Sequence, residues 1–381
     1  MSAAPAIRGW CPGALRPMPS GDGLVVRIRP RLARLSVLQV LGLCEAAQAH
    51  GAGLIDLTNR ANLQLRGVAE SALPTLQRDL GALGLLDTDL ETEARRNIVL
   101  TPFWQPGDDS ARLAEELLAR LGELPALPAK VGIVVDAGAQ PVLDGVPGDF
   151  RLERGLGGGL ILRVAGRALG LPVAPDGAIS ALIALAEWFM QSGGVAAGRM
   201  MRHDAPLPHW AEGSEPPATP APPPQPGVQA LGALYGLAFG QVAAADLARA
   251  LHLSGANALR VTPWRLVLLE GAGQAVEAPG LLAAPDPLLR VDACAGAPLC
   301  PQSSVETRAL ARELAPLTQG RRLHVSGCAK GCARPGPADL VLTGHAGRFD
   351  LALNARAGDA ALKIGLKPHE ILSLFRDPDA P

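Results

Sequence analysis

An α+β protein built around a duplicated unit is the fold class that this sequence predicts. Strands alternate with helices along the chain, a proline-rich stretch divides it, and the two parts repeat one order of elements. The divider is residues 211–227, AEGSEPPATPAPPPQPG. Proline at this density lacks the N–H groups and the φ freedom that a sheet or helix interior needs, so the stretch reads as an extended, semi-rigid connector. Before it, a strand is expected over 23–28, a helix over 35–50 and a strand pair around 54–65. The helix rests on Leu38, Leu41, Ala46 and Ala49 at helical spacing, with Gly51 and Gly53 ending the pattern. After the divider, a strand over 231–238, a helix over 242–251 and a strand pair around 259–269 repeat the order. AHGAGLIDLTNRANLQLRG lies over LSGANALRVTPWRLVLLEG with Thr58 on Thr262 and Gly67 on Gly271, one shift of 204 residues (262 − 58 and 271 − 67). Each unit is followed by a further α+β segment. Residues 95–205 carry strand runs at 131–135 and 160–164 and a helix over 179–190. Residues 290–381 carry a helix and strands at 323–325, 340–342 and 349–353. The expected domains are therefore 1–85, 86–210, the connector 211–227, 228–285 and 286–381.

At 381 residues, 48% of them hydrophobic and 19% charged, the chain can bury the cores of two or three domains. A formal net charge of −1 argues against nucleic-acid binding through a strong overall positive field. Only Lys130, Lys330, Lys363 and Lys367 are lysines; the other basic residues are arginines. A compositional bias of the genome explains that excess, and so would a ligand rich in carboxylates, which suit planar guanidinium forks. The most apolar run, 179–190, is short and contains Glu187, so no membrane span is expected. Residues 1–8 lack the basic and apolar regions of a secretory signal, and six cysteines are too few for a disulfide scaffold in a chain this long. Reduced thiols in a cytoplasmic protein, free to bind metal, are the expectation.

Four of the cysteines form two ordered pairs, Cys294-x5-Cys300 and Cys328-x3-Cys332. An iron–sulfur cubane needs four thiolates converging from loops, and the surroundings suit it. Gly296 and Pro298 favour a turning loop, while Gly327 and Gly331 let the backbone approach cluster sulfurs. Ser303 and Glu306 form a capping-box pattern opening a helix to Leu314, whose positive end would face a negative cluster. A four-cysteine zinc site and four unrelated buried thiols are the alternatives. Neither pair is the C-x2-C knuckle usual for zinc, and ordered pairs in glycine-rich loops argue against chance. Cys44 reads as core, and Cys11 has no assigned role.

ACAGAPLC and HVSGCAKGCARPGPADLVLTG (293–300 and 324–344) resemble the cluster signature of the sulfite/nitrite reductase family. The resemblance implies duplicated ferredoxin-like half-domains plus two α/β domains carrying sirohaem and cluster, related by a pseudo-two-fold axis. It implies a [4Fe–4S] cluster on Cys294, Cys300, Cys328 and Cys332, with Cys332 in the position that bridges to sirohaem. LTNRANLQLRG (57–67) is similar to the family's Thr-x-Arg-x-x-x-Gln strand, which puts Arg60 and Gln64, followed by Arg66, at the tetrapyrrole site. Arg96 and Asn97 resemble a further pair of that site. LPAKVG (127–132) resembles a Pro-x-Lys-x-Lys loop facing the substrate anion, with Lys130 present and Gly132 in place of the second lysine.

RGWCPGALRPMPSGDGLVVRIRP (8–30) and ACAGAPLCPQSS (293–304) are closer to one branch of that family, in aerobic cobalamin biosynthesis. That branch implies a monooxygenase acting on precorrin-3A with dioxygen and closing a γ-lactone, a separate non-haem iron, and an NADH-linked electron donor protein. The carboxylates of such a macrocycle would suit Arg60, Arg66, Arg96 and Arg334. A sirohaem-dependent sulfite or nitrite reductase is the alternative function, and a non-catalytic electron carrier the third. The histidines show no metal-binding spacing; His324 reads as a strand histidine satisfied by backbone, and the glycine run 155–159 as a turn.

Overall fold

A computed structural model describes residues 11–377. Residues 1–8, on which the secretory-signal reading rests, lie outside them. Two central sheets each take their last strand from the other unit. The first runs Met18–Ser20, Gly23–Ile28, Leu63–Val68, Leu54–Leu57 and then Gln241–Ala243. The second runs Gly227–Gln229, Gly232–Leu237, Leu266–Glu270, Ala258–Val261 and then Arg34–Ser36, with Leu281–Leu282 alongside Gly232–Leu237. All pairings in both sheets are antiparallel.

The exchange delays the start of both expected helices by two residues, and they run over Val37–His50 and Ala244–Ser254. Ser36 sets the first start. Its hydroxyl accepts from Gln39 N–H at 3.3 Å and its own N–H donates to Gln39 Oε1 at 2.9 Å, a capping box that leaves Arg34–Ser36 free to pair as a strand. The buried stripe of this helix is Val40, Leu43, Cys44, Ala46 and Ala47, while Leu38 is 78% exposed. Apolar residues surround the helix, so periodicity alone could not choose the face; packing against Ala244–Ser254 chose it. Leu43, Ala47, Ile55 and Leu65 share one core with Leu247, Leu251, Leu259 and Leu269, so neither unit closes its interior alone. The duplication extends to backbone strain. Leu32 (φ 54) and Phe239 (φ 59) each precede an exchanged strand, and Ala61 (φ 52) and Arg265 (φ 62) hold the two hairpin turns.

The outer two sheets repeat each other as well. Ile98–Leu100, Ile133–Asp136 and Phe150–Arg154 are parallel, then Leu160–Val164 and Leu171–Val173 run antiparallel. Val291–Ala293, Leu323–Ser326 and Ala338–His345 are parallel, then Arg348–Ala355 and Lys363–Leu366 run antiparallel. Helices Asp109–Ala119 and Ala178–Gln191 contribute to the core of the first, and Arg308–Leu314 and Pro368–Arg376 to that of the second. The stretch 211–227 lies against the first of these layers: Leu156 N–H donates to Pro216 O, Ala218 N–H to Arg154 O and Ala221 N–H to Pro141 O. Among the described residues no helix is long and apolar enough to cross a membrane.

Candidate functional site

Cys294 follows strand Val291–Ala293, and Cys328 follows Leu323–Ser326. These strands are parallel neighbours with Ala293 opposite Val325, so both chain exits leave one edge and their loops meet. Gly327 N–H donates to Cys294 Sγ at 3.2 Å, Thr307 Oγ1 donates to Cys294 O at 2.7 Å, and Ser326 Oγ donates to Cys328 O at 2.7 Å. Cys332 is exposed as a residue and the other three are half-buried. Desolvation holds the Cys332 thiol above its ordinary range. Lys330 pulls it down, while Cys294, Cys328 and Cys300 push it up, which puts all four sulfurs in one electrostatic neighbourhood. Glycine makes the room: a Cβ at Gly327 would stand 2.1 Å from Ser303 Oγ and 3.5 Å from Cys294 Sγ.

Four soft thiols in a backbone-lined cradle fit a cubane. Among the described residues no three His, Cys, Asp or Glu side chains converge on a single ion. A cubane does not require that, because each thiolate holds its own iron at a separate corner. The non-haem iron implied by the resemblance has no ligand set among the described residues.

Two expectations near the cysteines are corrected. Ser303 does not cap a helix: it packs over Gly327 and its hydroxyl donates to Val305 O at 2.8 Å. The helix starts only at Arg308–Leu314, so the dipole argument built on Ser303 falls with the cap. His324 is fully buried and neither ring nitrogen has a hydrogen-bond partner, because the strand's backbone groups are engaged by parallel neighbours on both sides. Burial pushes its pKa down to about 4.

The outward face of the first central sheet carries a polar row. Arg27, Gln64, Asp56 and Gln241 stand directly opposite one another on four neighbouring strands. Arg27 Nε and Nη2 both donate to Gln64 Oε1, at 3.0 and 2.6 Å, and Gln241 Nε2 donates to Asp56 Oδ1 at 2.7 Å. Arg29 follows two residues after Arg27, on the same side by strand alternation. Its Nη1 lies 3.4 Å from Glu93, yet Nε and Nη1 lack a hydrogen-bond partner. Arg60, on the hairpin after Leu54–Leu57, donates Nη2 to Lys130 O at 2.6 Å. A Cβ at Gly132 would stand 3.2 Å from Arg60 Nη1. Asn97 Nδ2 donates to Val131 O at 2.5 Å, holding that segment, and Lys130 itself is exposed. Asp149, fully buried, accepts from Gly132 N–H at 3.0 Å and Arg199 Nε at 2.9 Å. Burial pushes the Arg27 guanidinium down to about 10; Cys11 opposes this, while Arg29 and Arg60 add repulsion. Burial and Arg199 likewise lower Arg60. Arg27, Arg29 and Arg60 thus gather around Cys11, with Arg199 beside Arg60.

Arg66 and Arg96 are held in forks. Arg66 Nε and Nη2 grip Asp22 at 3.0 and 2.9 Å, with Ser20 also accepting from Nη2. Arg96 grips Asp87 at 2.7 and 2.8 Å and donates Nη1 to Arg29 O at 2.8 Å, so it fixes the backbone of Arg29. The two regions adjoin. Arg308 has Asp56, Arg66 and Cys294 as charged neighbours, and Ser20 Oγ donates to Leu299 O, inside the first cysteine loop, at 3.5 Å. Burial pushes the Asp56 carboxyl above its ordinary range, against the pull of Arg308 and Arg66. Sequence reasoning missed Arg27, Arg29, Asp56, Arg199, Gln241 and Arg308. Alternation in Val25-Val26-Arg27-Ile28-Arg29 could have flagged the first two. Gln241 and Arg308 reach the row only through strand exchange and tertiary packing.

Comparison with known proteins gives a class first. Residues 16–83 match the nitrite/sulfite reductase ferredoxin-like half domain. The structure of Mycobacterium tuberculosis NirA protein shares the fold over 93% of this chain and 80% of that one, with a TM-score of 0.63 and 19% identity. The molecule therefore has the α+β fold of the nitrite/sulfite reductases, with duplicated ferredoxin-like half-domains. A precorrin-3B synthase from Sinorhizobium sp. is 33% identical over 92% of this chain and 83% of its own length. The chain belongs to the precorrin-3B synthase family.

Proposed function

We propose that the chain is an oxidoreductase of the precorrin-3B synthase type, a monooxygenase that hydroxylates precorrin-3A and closes a γ-lactone in aerobic cobalamin biosynthesis. The observation that carries this reading is the adjacency of a guanidinium-lined sheet face and a four-thiol loop, bridged by Arg308. One atom of dioxygen enters the substrate and the other leaves as water, with two electrons and two protons supplied through an NADH-linked donor protein. Cys294, Cys300, Cys328 and Cys332 would hold a [4Fe–4S] cluster, which when bound supplies electrons one at a time.

The chain's own residues do the rest. Arg27, Arg29 and Arg60 take the macrocycle's carboxylates as charge-assisted hydrogen bonds, and the unpartnered Arg29 nitrogens are the strongest candidates. Gln64 orients Arg27, and Arg96 with Asp87 orients Arg29. Arg66, Asn97 and Lys130 frame the ends of the site. Asp56, its carboxyl raised by burial against the pull of Arg308 and Arg66, sits at the centre of the row and accepts from Gln241. In this division residues 1–210 seat the substrate, 286–381 carry the cluster, and the protein works in the cytoplasm.

Anaerobic purification with iron, acid-labile sulfide and tetrapyrrole analysis tests the reading. Four irons and four sulfides per chain without sirohaem are expected; sirohaem at one per chain, bridged through Cys332, would make the protein a reductase instead. Arg60→Ala should weaken tetrapyrrole binding about ten- to a hundredfold, the worth of one hydrogen bond to a charged group, and leave iron content unchanged. Unaltered affinity would remove Arg60 from the site.

A further inference from the structure

A cavity of about 940 Å³ lies where both hairpin tips, the connector and the cysteine-bearing domain meet, and none of the four residues of the polar row lines it. Its size falls at the upper end of small-molecule sites, about 300–1,000 Å³. One wall is cationic. Arg265, Arg322 and Arg334 approach the single buried carboxylate of Asp292, at 2.5, 3.3 and 3.6 Å. Arg290 adds a fourth guanidinium, bonded to the carbonyl of Gly320 at 2.7 Å. Asp286 and Asp339 also line the cavity, but each accepts from a backbone N–H, of Leu288 and of Arg322. The rest of the wall is stiff and apolar: Pro223, Pro224 and Pro226 of the connector, and Pro263 and Trp264 of the hairpin.

The duplication says what this cavity is. Arg265 holds the turn position that Ala61 holds beside Arg60, at the same shift of 204 residues (265 − 61). Arg290 and Arg322 immediately precede strands Val291–Ala293 and Leu323–Ser326, as Asn97 and Gly132 precede Ile98–Leu100 and Ile133–Asp136. The arginine wall is thus the second copy of the corner around Arg60. We propose that it is a second binding site for a flat macrocycle bearing several carboxylates, with its acid groups on Arg265, Arg322 and Arg334 and its ring against the proline and tryptophan wall. The choice of a macrocycle rests on the tetrapyrrole reading above.

Uroporphyrin III, an octacarboxylate ring, is the probe, titrated by fluorescence quenching and equilibrium dialysis into the full-length, iron-loaded protein. Two equivalents per chain are expected. Arg322→Gln/Arg334→Gln should lose one, weakening it at least tenfold, and Arg60→Ala should lose the other. Iron and sulfide are assayed in each; if Arg334→Gln disturbs the neighbouring Cys332, Arg290→Gln/Arg322→Gln replaces it. A single equivalent lost only in Arg60→Ala, with the double variant titrating as wild type, overturns the second site and leaves the tetrapyrrole reading standing. A single equivalent lost only in the double variant supports the cavity and removes Arg60. No binding by any form overturns both.

Discussion

The two central sheets place the same four-residue row in opposite surroundings. In the first, Arg27, Gln64, Asp56 and Gln241 form a continuous polar line. In the second, the equivalent positions are Leu234, Leu268, Arg260 and Arg34. Leu234 and Leu268 are fully buried with Leu266 against Phe103 and Trp264. Arg260 donates to Pro102 O and Trp104 O, stacks on the Trp104 ring 4.3 Å from its centroid, and shares Glu270 with Arg34. Residues 101–105, which plug this face, follow the edge strand Ile98–Leu100; the cysteine loop follows the matching edge strand Val291–Ala293 and reaches the first sheet. A duplication therefore produced two equivalent faces. Apolar packing consumed one for stability, and thiols and guanidinium groups kept the other for chemistry.

The hardest way to break this contrast is to remove the loop that distinguishes the polar face. Cys328→Ala or Cys332→Ser should abolish activity and remove most of the iron, read by metal and sulfide analysis beside the visible absorption. Retention of four irons would show that the thiols do not form one site. Next in size is the plugged face. Arg260→Ala breaks a buried ion pair and two bonds to backbone carbonyls, at about 3 kcal/mol, the lower end for such losses because Glu270 keeps Arg34. Denaturant unfolding should show that loss while tetrapyrrole affinity at the Arg60 site stays unchanged. The reverse outcome, intact stability and impaired binding, would mean that the second sheet also serves the ligand.

How much was legible follows from what each feature depends on. The duplicated order and the cysteine pairs stand in the sequence because they need only local spacing. The exchanged strands did not, since Arg34–Ser36 and Gln241–Ala243 differ from a helix's first turn only by finding partners in the other unit. Arg66 and Arg96 were readable as arginines of interest but not as forks on Asp22 and Asp87, which depend on hairpin register and tertiary approach. The plug was invisible for the same reason. Nothing local in Pro102-Phe103-Trp104 says which sheet it will cover.

The outer sheets sharpen the comparison through His324. It pairs in register with Asp292, where the matching strands pair Val134 with Val99. The native ring has its pKa near 4 and the ordinary value is 6.5, so between these pH values the unfolded chain binds the extra proton. Stability is therefore complete above about pH 6.5 and is lost as the pH falls towards 4. At pH 5 the loss is about 2 kcal/mol. His324→Val, borrowing the counterpart's residue, should remove that component, so urea unfolding at pH 5 and 7 should differ less in the variant than in the wild type. Equal differences would mean that the buried ring is protonated in the native state.

The smallest expected effect concerns where each half keeps its cation. On the first side the hairpin supplies Arg60 and the strand entry is Gly132; on the second, Trp264 stands at the hairpin position and Arg322 at the entry. At the strand entry the second copy carries a guanidinium where the first yields space to Arg60. At Gly132 that space is measurable: a Cβ would meet Arg60 Nη1 at 3.2 Å and Asn97 Nδ2 at 3.5 Å, a contact that a few tenths of an ångström relieves. Gly132→Ala should accordingly weaken tetrapyrrole binding only about threefold, near 0.7 kcal/mol, with iron content unaltered. A loss as large as that of Arg60→Ala would mean that the guanidinium cannot shift at all. No loss would mean that Gly132 does not hold room for Arg60, and a lysine there, as the reductase pattern has it, would then fit beside the arginine.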